Sequence, residues 1–449
     1  MNAAVESLGA DLRALQPSLP GNELDWLRSR REAALVQFEA RGLPTLRDED
    51  WKYTSIRSIE RRALRLASTN AASVDANAAV TLAEERGYVL ADSTVAVLRD
   101  GEFIGIAGQL AEGLRVVALA DAVADARLQA LLNVHLGRIA TPGTDGFAAS
   151  SASALRDGLL IHIGAGASVE QPLVVLHIDS GTEDQMSAPR CLIVADEGSS
   201  IRVVEHNVSE RDGAGLVNQV TEIALADAAT LEHTKLQEQS HTSFHVSTLE
   251  ASIARNAKLT SHALSVGGAI ARHDLNAHLL GEGGRCEMNG LYLGTGKQHV
   301  DFHTRIHHRA AKCSSSQTYK GILDGNSRGV FNGQVHVHPD AQQSDAQQAN
   351  HNLLLSKNAE IDTKPQLEIL ADDVTCSHGA TVGQLDADML FYLRSRGVPD
   401  VQARGLLTYG FAHDIVERLS ISTIAARMEH LLVEVLPNGD ELKNLVETD

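Results

Sequence analysis

A short pattern recurs through the middle of the chain and restricts its fold more than any other feature. A small or turn-forming residue is followed, three positions on, by an apolar residue that opens a β-favouring run. The instances are Gly166 to Val169, Gly198 to Ile201, Ala228 to Leu231, Asn256 to Leu259, Gly283 to Cys286 and Asn358 to Ile361. The first five apolar anchors stand at positions 169, 201, 231, 259 and 286, a period near thirty that drifts only slightly. Such a period, with a small residue at each corner, fits the coils of a solenoid. Each coil cannot bury its inward face alone and must stack on its neighbours. Turn signals at short intervals also suit an antiparallel β-sandwich, but the register of the repeat favours the solenoid. The spacing breaks between Cys286 and Ile361, where longer coils or insertions are expected.

Composition supports thin stacked β layers. Only 4% of the 449 residues are aromatic, so the core must be built from Val, Ile, Leu and Ala. The formal charge is −19, from 58 acidic and 39 basic residues. Such a field disfavours nucleic acid and anionic membranes as partners. No stretch approaches the length and apolarity of a membrane span. Met1 to Leu19 lacks the basic and apolar regions of a secretory signal. The cysteines at 191, 286, 313 and 376 are widely separated and form no C-x-x-C pair, so reduced thiols in the cytoplasm are expected.

Helical patterns flank the repeats and suggest three regions: a helical and mixed region over 1–150, a β-solenoid core over 151–385 and a helical region over 386–449. In the first, Asn22 is expected to cap a helix bearing Leu24, Leu27, Leu35 and Phe38, stopped by Gly42 and Pro44. A linker is expected from Ala67 to Ala79, a strand at Val95–Val97, an alanine-rich helix from Asp121 to Leu136 and a loop from Thr141 to Ser153. In the last region Asp386 is expected to cap a helix ended by Gly397 and Pro399. A second helix is expected from Asp400 to Leu419. A third, from Thr423, places Ile424, Met428, Leu431, Leu432 and Val435 on one face, before Pro437 and Gly439.

Nucleotide-binding motifs fail. The segment Gly290 to Lys297 is one residue too long for a P-loop and is followed by Gln298, with no helix after it. Histidines concentrate at 299, 303, 307, 308, 336, 338 and 351. Strand alternation puts His336 and His338 on one face, which suits either a metal or an exposed polar ladder. Cys376 and His378 likewise share a face, at a tight turn expected at Gly379. Thiolate and imidazole both bind iron, yet two ligands do not complete a site, so others would come from elsewhere. As a nucleophile pair they lack a third group to orient the base. A buried Cys at a strand end beside a surface His, with no chemistry, is the plain alternative.

Several longer segments carry a resemblance. Asp373 to Gly383 (DVTCSHGATVG), Phe391 to Pro399 (FYLRSRGVP) and Ala403 to Phe411 (ARGLLTYGF) resemble the C-terminal signature of the SufB/SufD family of the SUF iron–sulfur cluster assembly system. Glu49 to Thr54 (EDWKYT) resembles its N-terminal motif, and Tyr319 to Ile322 with Gly329 to Gly333 its central segment. Within the family the SufD branch fits better. The SufB branch carries Glu at the position of Gly379 and an acceptor cysteine on the preceding coil, where this chain has no cysteine between Cys313 and Cys376.

The resemblance implies a right-handed parallel β-helix between N-terminal and C-terminal helical domains. It implies a non-catalytic scaffold or accessory subunit that pairs with a SufB-like paralogue, binds a SufC-like ABC ATPase and contributes to iron acquisition and cluster assembly. Iron or a nascent cluster would be shared transiently with SufB, with none held stably by the isolated chain. Whether a flavin joins the complex is left open, as is a homodimer of the isolated chain. By the match of the CSHGAT motif, His378 is implied as an iron or cluster ligand at the subunit interface, with Cys376 beside it. Phe391, Tyr392, Arg394, Arg396, Tyr409 and Phe411 fall in the segment implied to dock on the ATPase. A carbohydrate-active β-helix enzyme would need paired carboxylates in a groove, which the sequence does not display. A homo-oligomeric structural protein without metal chemistry is the third alternative.

Overall fold

The computed structural model describes residues 3–67, 75–86, 93–141, 143 and 145–435. Its core is a parallel β-helix of two stacked sheets. One runs from Leu159–Ile163 through Arg190–Ala195, Leu216–Leu225, Phe244–Ile253, Ile270–Leu279, His299–His308 and Arg328–Val337 to Glu360–Ile369. The other runs from Leu173–Asp179 through Ser200–Ser209, Thr230–Gln237, Lys258–Ser265, Arg285–Gly294, Ser314–Leu323 and Ser344–Leu354 to Val374–Gly383. The chain alternates between sheets, so each strand pairs in parallel with the strand one coil away.

The corner motif has a backbone cause. Gly166, Gly198, Ala228, Asn256, Gly283, Lys312 and Gln343 all have positive φ, between 56° and 74°. Each stands three positions before an inward-facing side chain: Val169, Ile201, Leu231, Leu259, Cys286, Ser315 and Ala346. Gly and Asn adopt this left-handed conformation readily, which is why they mark the early corners. Lys312 and Gln343 adopt it against preference. The break expected after Cys286 is therefore not one. Cys286 pairs with Ser315, Ser315 with Ala346 and Ala346 with Cys376, so the period near thirty continues to the last coil. Ile361 belongs to the opposite sheet, beside Gly329.

The two ends of the solenoid differ. At the N-terminal end each sheet is finished by antiparallel strands, Leu114–Ala118 against Leu159–Ile163 and Glu102–Ala107 against Thr94–Arg99. Helices pack on the outer face of the first sheet here, with Leu119, Val123, Leu128 and Leu132 on Leu160, Leu192 and Val194. At the C-terminal end nothing among the described residues pairs with the outer edges of Glu360–Ile369 and Val374–Gly383.

Helices clad the outer faces. The N-terminal helices Ala3–Leu15 and Asp25–Arg41 join Gly146–Ser153 over the first sheet, burying Leu8, Leu12, Phe38, Trp51 and Phe147 against Met186, Leu216, Phe244 and Ile270. The helices Asp400–Val416 and Ser422–Val435 lie on the second sheet, with Ile415, Ile424, Met428 and Leu432 against Leu236, Leu264 and Leu291.

Some local expectations are corrected. The helix bearing Leu27, Leu35 and Phe38 is preceded by Leu24 without a side-chain cap, so Asn22 does not cap it; Gly42, at φ 69°, does end it. The loop expected over Thr141–Ser153 contains the helix Gly146–Ser153. Asp145 caps it by accepting from the Phe147 N–H at 2.9 Å, a cap signal overlooked among small residues. The alanine-rich helix is two, Leu119–Ala124 and Ala126–His135, because Asp125 leaves the helical conformation to cap the second. Helix begins again at Ala76, inside the expected linker, of which residues 68–74 lie outside the described residues, as do Pro437 and Gly439. Among the described residues no helix is long and apolar enough to cross a membrane.

Candidate functional site

Stacking puts residues of equal register in columns that run the length of the solenoid. His378 ends an inward-facing column that reads Val203, His233, Ser261, Met288, Gln317, Gln348, His378. Cys376 ends the adjacent inward column of Ile201, Leu231, Leu259, Cys286, Ser315 and Ala346. Every earlier member of both columns is buried. These two are not, because no further coil covers them. Cys376 is half-buried against Val335, Val337 and Ala346, and His378 is exposed. Among the described residues the His378 imidazole has no hydrogen bond or ion pair.

The turn expected at Gly379 is absent. Gly379 sits within the strand Val374–Gly383, and a Cβ there would meet open space. Cys376 and His378 are therefore held two positions apart on a straight strand, side by side at the mouth of the solenoid. Behind them the interior is polar. Gln348 Nε2 donates to Gln317 Oε1 at 3.2 Å, which also accepts from Thr304 Oγ1 at 2.6 Å. His308 Nε2 lies 2.7 Å from Ser315 Oγ, and Asn350 Oδ1 accepts from Thr363 Oγ1 at 2.8 Å.

The rim exposes apolar side chains. Ile369 and Val382 face inward by register, opposite Val337 and Asn352, yet are 40% and 49% exposed. The two edges also differ in kind. Glu360–Ile369 carries Glu360, Asp362, Lys364, Pro365 and Glu368, the charges and proline that discourage edge pairing. Val374–Gly383 has no Asp, Glu, Lys, Arg or Pro along its whole length. An unguarded strand edge thus borders exposed apolar rim residues at the mouth of a polar interior.

All four cysteines are free thiols. Burial pushes the Cys376 thiol up, and nearby Asp345 adds to the shift. Burial raises Cys286 to about 12 and Cys191 well above its usual range. Thiolate is thus scarce at neutral pH, and Cys376 is no activated nucleophile. Iodoacetamide should alkylate Cys376 alone in the native chain, slowly at pH 7 and faster as pH rises past the ordinary thiol range. Peptide mass spectrometry showing Cys191 or Cys286 labelled at a matching rate would contradict this reading.

The six residues of the docking segment fall into two groups. Phe391 and Tyr392 are 73% and 57% exposed on the helix Ala387–Ser395, with Arg394 and Arg396 exposed beside them. The Arg396 guanidinium lies 5.2 Å from the Tyr392 ring centre. Tyr409 and Phe411 are half-buried on Asp400–Val416, Tyr409 stacked on His413 at 5.3 Å between ring centres and Phe411 beside Lys320 of the second sheet. Lys320 Nζ donates to the Phe411 carbonyl at 3.0 Å and pairs with Asp414 at 2.9 Å. Lys320 thereby fixes the helix in place, while the first four residues present an exposed surface.

The EDWKYT segment proves to be a strap over the first sheet. The Arg272 guanidinium lies 3.9 Å from the Trp51 ring centre, and its Nη1 donates to the Asp50 carbonyl at 2.7 Å. Thr54 Oγ1 is 2.8 Å from His299 Nε2, and Lys364 pairs with Glu49 at 2.8 Å. Sequence reasoning could not reach this role, since the bonds from the strap to Arg272 and His299 span 222 and 245 residues of the chain. It also missed a member of the histidine group: His307 joins His336 and His338 on the outer face of the first sheet. A signal existed, because His278, His307 and His336 recur at an equal interval of one coil.

Comparison with known proteins agrees with this architecture. Residues 177–411 match the family described as SUF system FeS cluster assembly, SufBD core domain, and residues 14–175 match the SufBD protein N-terminal region. The iron–sulfur cluster assembly protein SufD of Escherichia coli (strain K12) is 33% identical over 413 residues, covering 90% of this chain and 92% of that protein. A SufBD family iron–sulfur cluster assembly protein of Synechocystis sp. is 30% identical over 432 residues, covering 93% of each. SufD of Bacillus subtilis (strain 168) is 28% identical over 282 residues, covering 62% of this chain and 64% of that protein. With both regions matched in order along the β-helix and its N-terminal cladding, the chain belongs to the SufBD family of iron–sulfur cluster assembly proteins.

Proposed function

We propose that this chain is the scaffold subunit that supplies one half of a cluster-building seam. A SufB-like paralogue caps the open C-terminal end of the β-helix, and His378, with Cys376 beside it, contributes ligands to iron or a nascent cluster completed across the join. The observation that carries this reading is the open last coil. It exposes an inward-facing imidazole and thiol at an edge that lacks any guarding charge. The cluster is cargo here, assembled and passed on. Two donors from one strand suit a shared site, because a set this small needs a second surface to complete it.

The exposed face of Ala387–Ser395, with Phe391, Tyr392, Arg394 and Arg396, is the surface for a SufC-like ATPase. Aromatic and arginine side chains dominate the energetics of protein interfaces. The helix joins Asp400–Val416 through a short turn, and that second helix is bolted to the solenoid through Lys320. Motion of an ATPase bound there is thereby transmitted to the seam. In the absence of the paralogue, the same unguarded edge favours pairing of two copies of this chain.

The decisive variant is His378→Ala, co-expressed with SufB-like and SufC-like partners. The three chains should co-purify as with the unmodified protein, while anaerobic iron and sulfide analysis should show cluster content reduced at least several-fold. Full iron and sulfide content in the variant complex would rule out a ligand role for His378. Failure of the unmodified chains to co-purify would rule out the seam itself.

A further inference from the structure

The outer face of the first sheet carries imidazoles in register. One outward column reads Ser252, His278, His307, His336, Glu368. The His278 and His307 rings lie 4.8 Å apart between centres, and His307 and His336 5.5 Å. His338, two positions beyond His336, brings its ring to 4.1 Å from His336 and 5.8 Å from His307. One nitrogen of each of His307, His336 and His338 lies within 4.8 Å of the others. His307 Nδ1 and His338 Nε2 are enclosed yet have no hydrogen-bond partner. His336 Nδ1 is 3.0 Å from Glu368 Oε2, the arrangement that fixes a ring so that its other nitrogen can bind.

We propose that His307, His336 and His338 form a binding site for a divalent first-row transition cation, with Glu368 as the residue that orients His336. The enclosed nitrogens of His307 and His338 take no hydrogen bond from the surrounding side chains or backbone, and the three rings converge, which a row of separately solvated imidazoles does not require. Imidazole donors suit zinc, nickel, copper and iron rather than magnesium or calcium. Three protein donors fall one short of a closed structural zinc site, so a bound ion keeps a solvent position and exchanges. The three imidazoles lie on the outer face of the sheet opposite His378, and only Glu368 belongs to the edge strand of the open end.

The test uses the full chain, stripped of metal and titrated with Co²⁺ under visible absorption, with Zn²⁺ competition. The unmodified chain should bind one Co²⁺ at this site. His307→Ala or His336→Ala should weaken binding by at least about a hundredfold, and Glu368→Gln by about tenfold. His378→Ala should leave it unchanged. Urea midpoints equal to that of the unmodified chain show that each variant is folded. Unchanged Co²⁺ affinity in both His307→Ala and His336→Ala would overturn the proposal. So would loss of the signal in His378→Ala alone, or binding of the unmodified chain only at millimolar Co²⁺.

Discussion

The Arg272→Ala substitution should destabilise the fold by about 3–5 kcal/mol, the usual cost of stripping one partner from a buried charge group. Arg272 is fully buried. It holds Asp274 through two bonds of 2.8 and 2.9 Å and Asp301 Oδ2 through one of 2.7 Å, and it stacks on Trp51. Burial works against the charge on Asp301, but His303 and Arg272 hold its carboxyl far below the usual range. Asp145, close by, is raised to about 6 by burial and by Asp274 despite Arg272. Without the guanidinium, Asp145, Asp274 and Asp301 lose their shared counter-charge under the strap.

The sign of the pH dependence follows. In the native chain Asp301 has a depressed pKa, so its contribution is present at neutral pH and lost only in strong acid. In the variant the buried carboxyls rise above their unfolded values, so protonation relieves them as pH falls. The gap between the two proteins should therefore be widest near pH 7 and narrow towards pH 5. Arg272→Lys should recover only part of the loss, because an ammonium cannot reproduce the planar two-point contact. Urea denaturation decides it, and a loss under about 1 kcal/mol at pH 7 would mean that the network is not what holds the strap.

Val382→Lys should weaken pairing at the open end while leaving the chain folded. Val382 is half exposed. Substitutions at such surface positions usually change folding stability by about 0.5 kcal/mol or less. In the proposed assembly the lysine would bury an unpaired charge within the seam. Association should weaken by at least about 2 kcal/mol, roughly thirtyfold in Kd. Ile369→Lys should do the same from the other sheet. Analytical ultracentrifugation with the SufB-like partner is the readout; association as tight as that of the unmodified chain would mean that the partner docks elsewhere.

What the sequence disclosed was local. The solenoid was legible where Gly or Asn occupied the left-handed corner and an apolar residue opened the strand, as at Gly198 and Ile201. It was lost where Lys312 and Gln343 took the same conformation and Ser315 and Ala346 the inward position. There the fold is imposed by the stack of neighbouring coils rather than by the residues themselves. The pairing of Cys376 with His378 was readable from strand alternation, but their exposure was not. Both point inward, and only the absence of a following coil leaves them open. The buried polar interior, Gln317 and Gln348 among it, defeats any reading that equates inward with apolar. The strap from Glu49 to Thr54 rests on contacts too distant in sequence for any periodicity to register.

The unequal ends of the β-helix set a stoichiometry. A rod with two sticky ends would polymerise head to tail into filaments of indefinite length. At the N-terminal end of this rod the last strands, Glu102–Ala107 and Leu114–Ala118, run antiparallel to their neighbours and expose no large apolar side chain among the described residues; if pairing is confined to the open rim, joining a single mate ends the reaction at two.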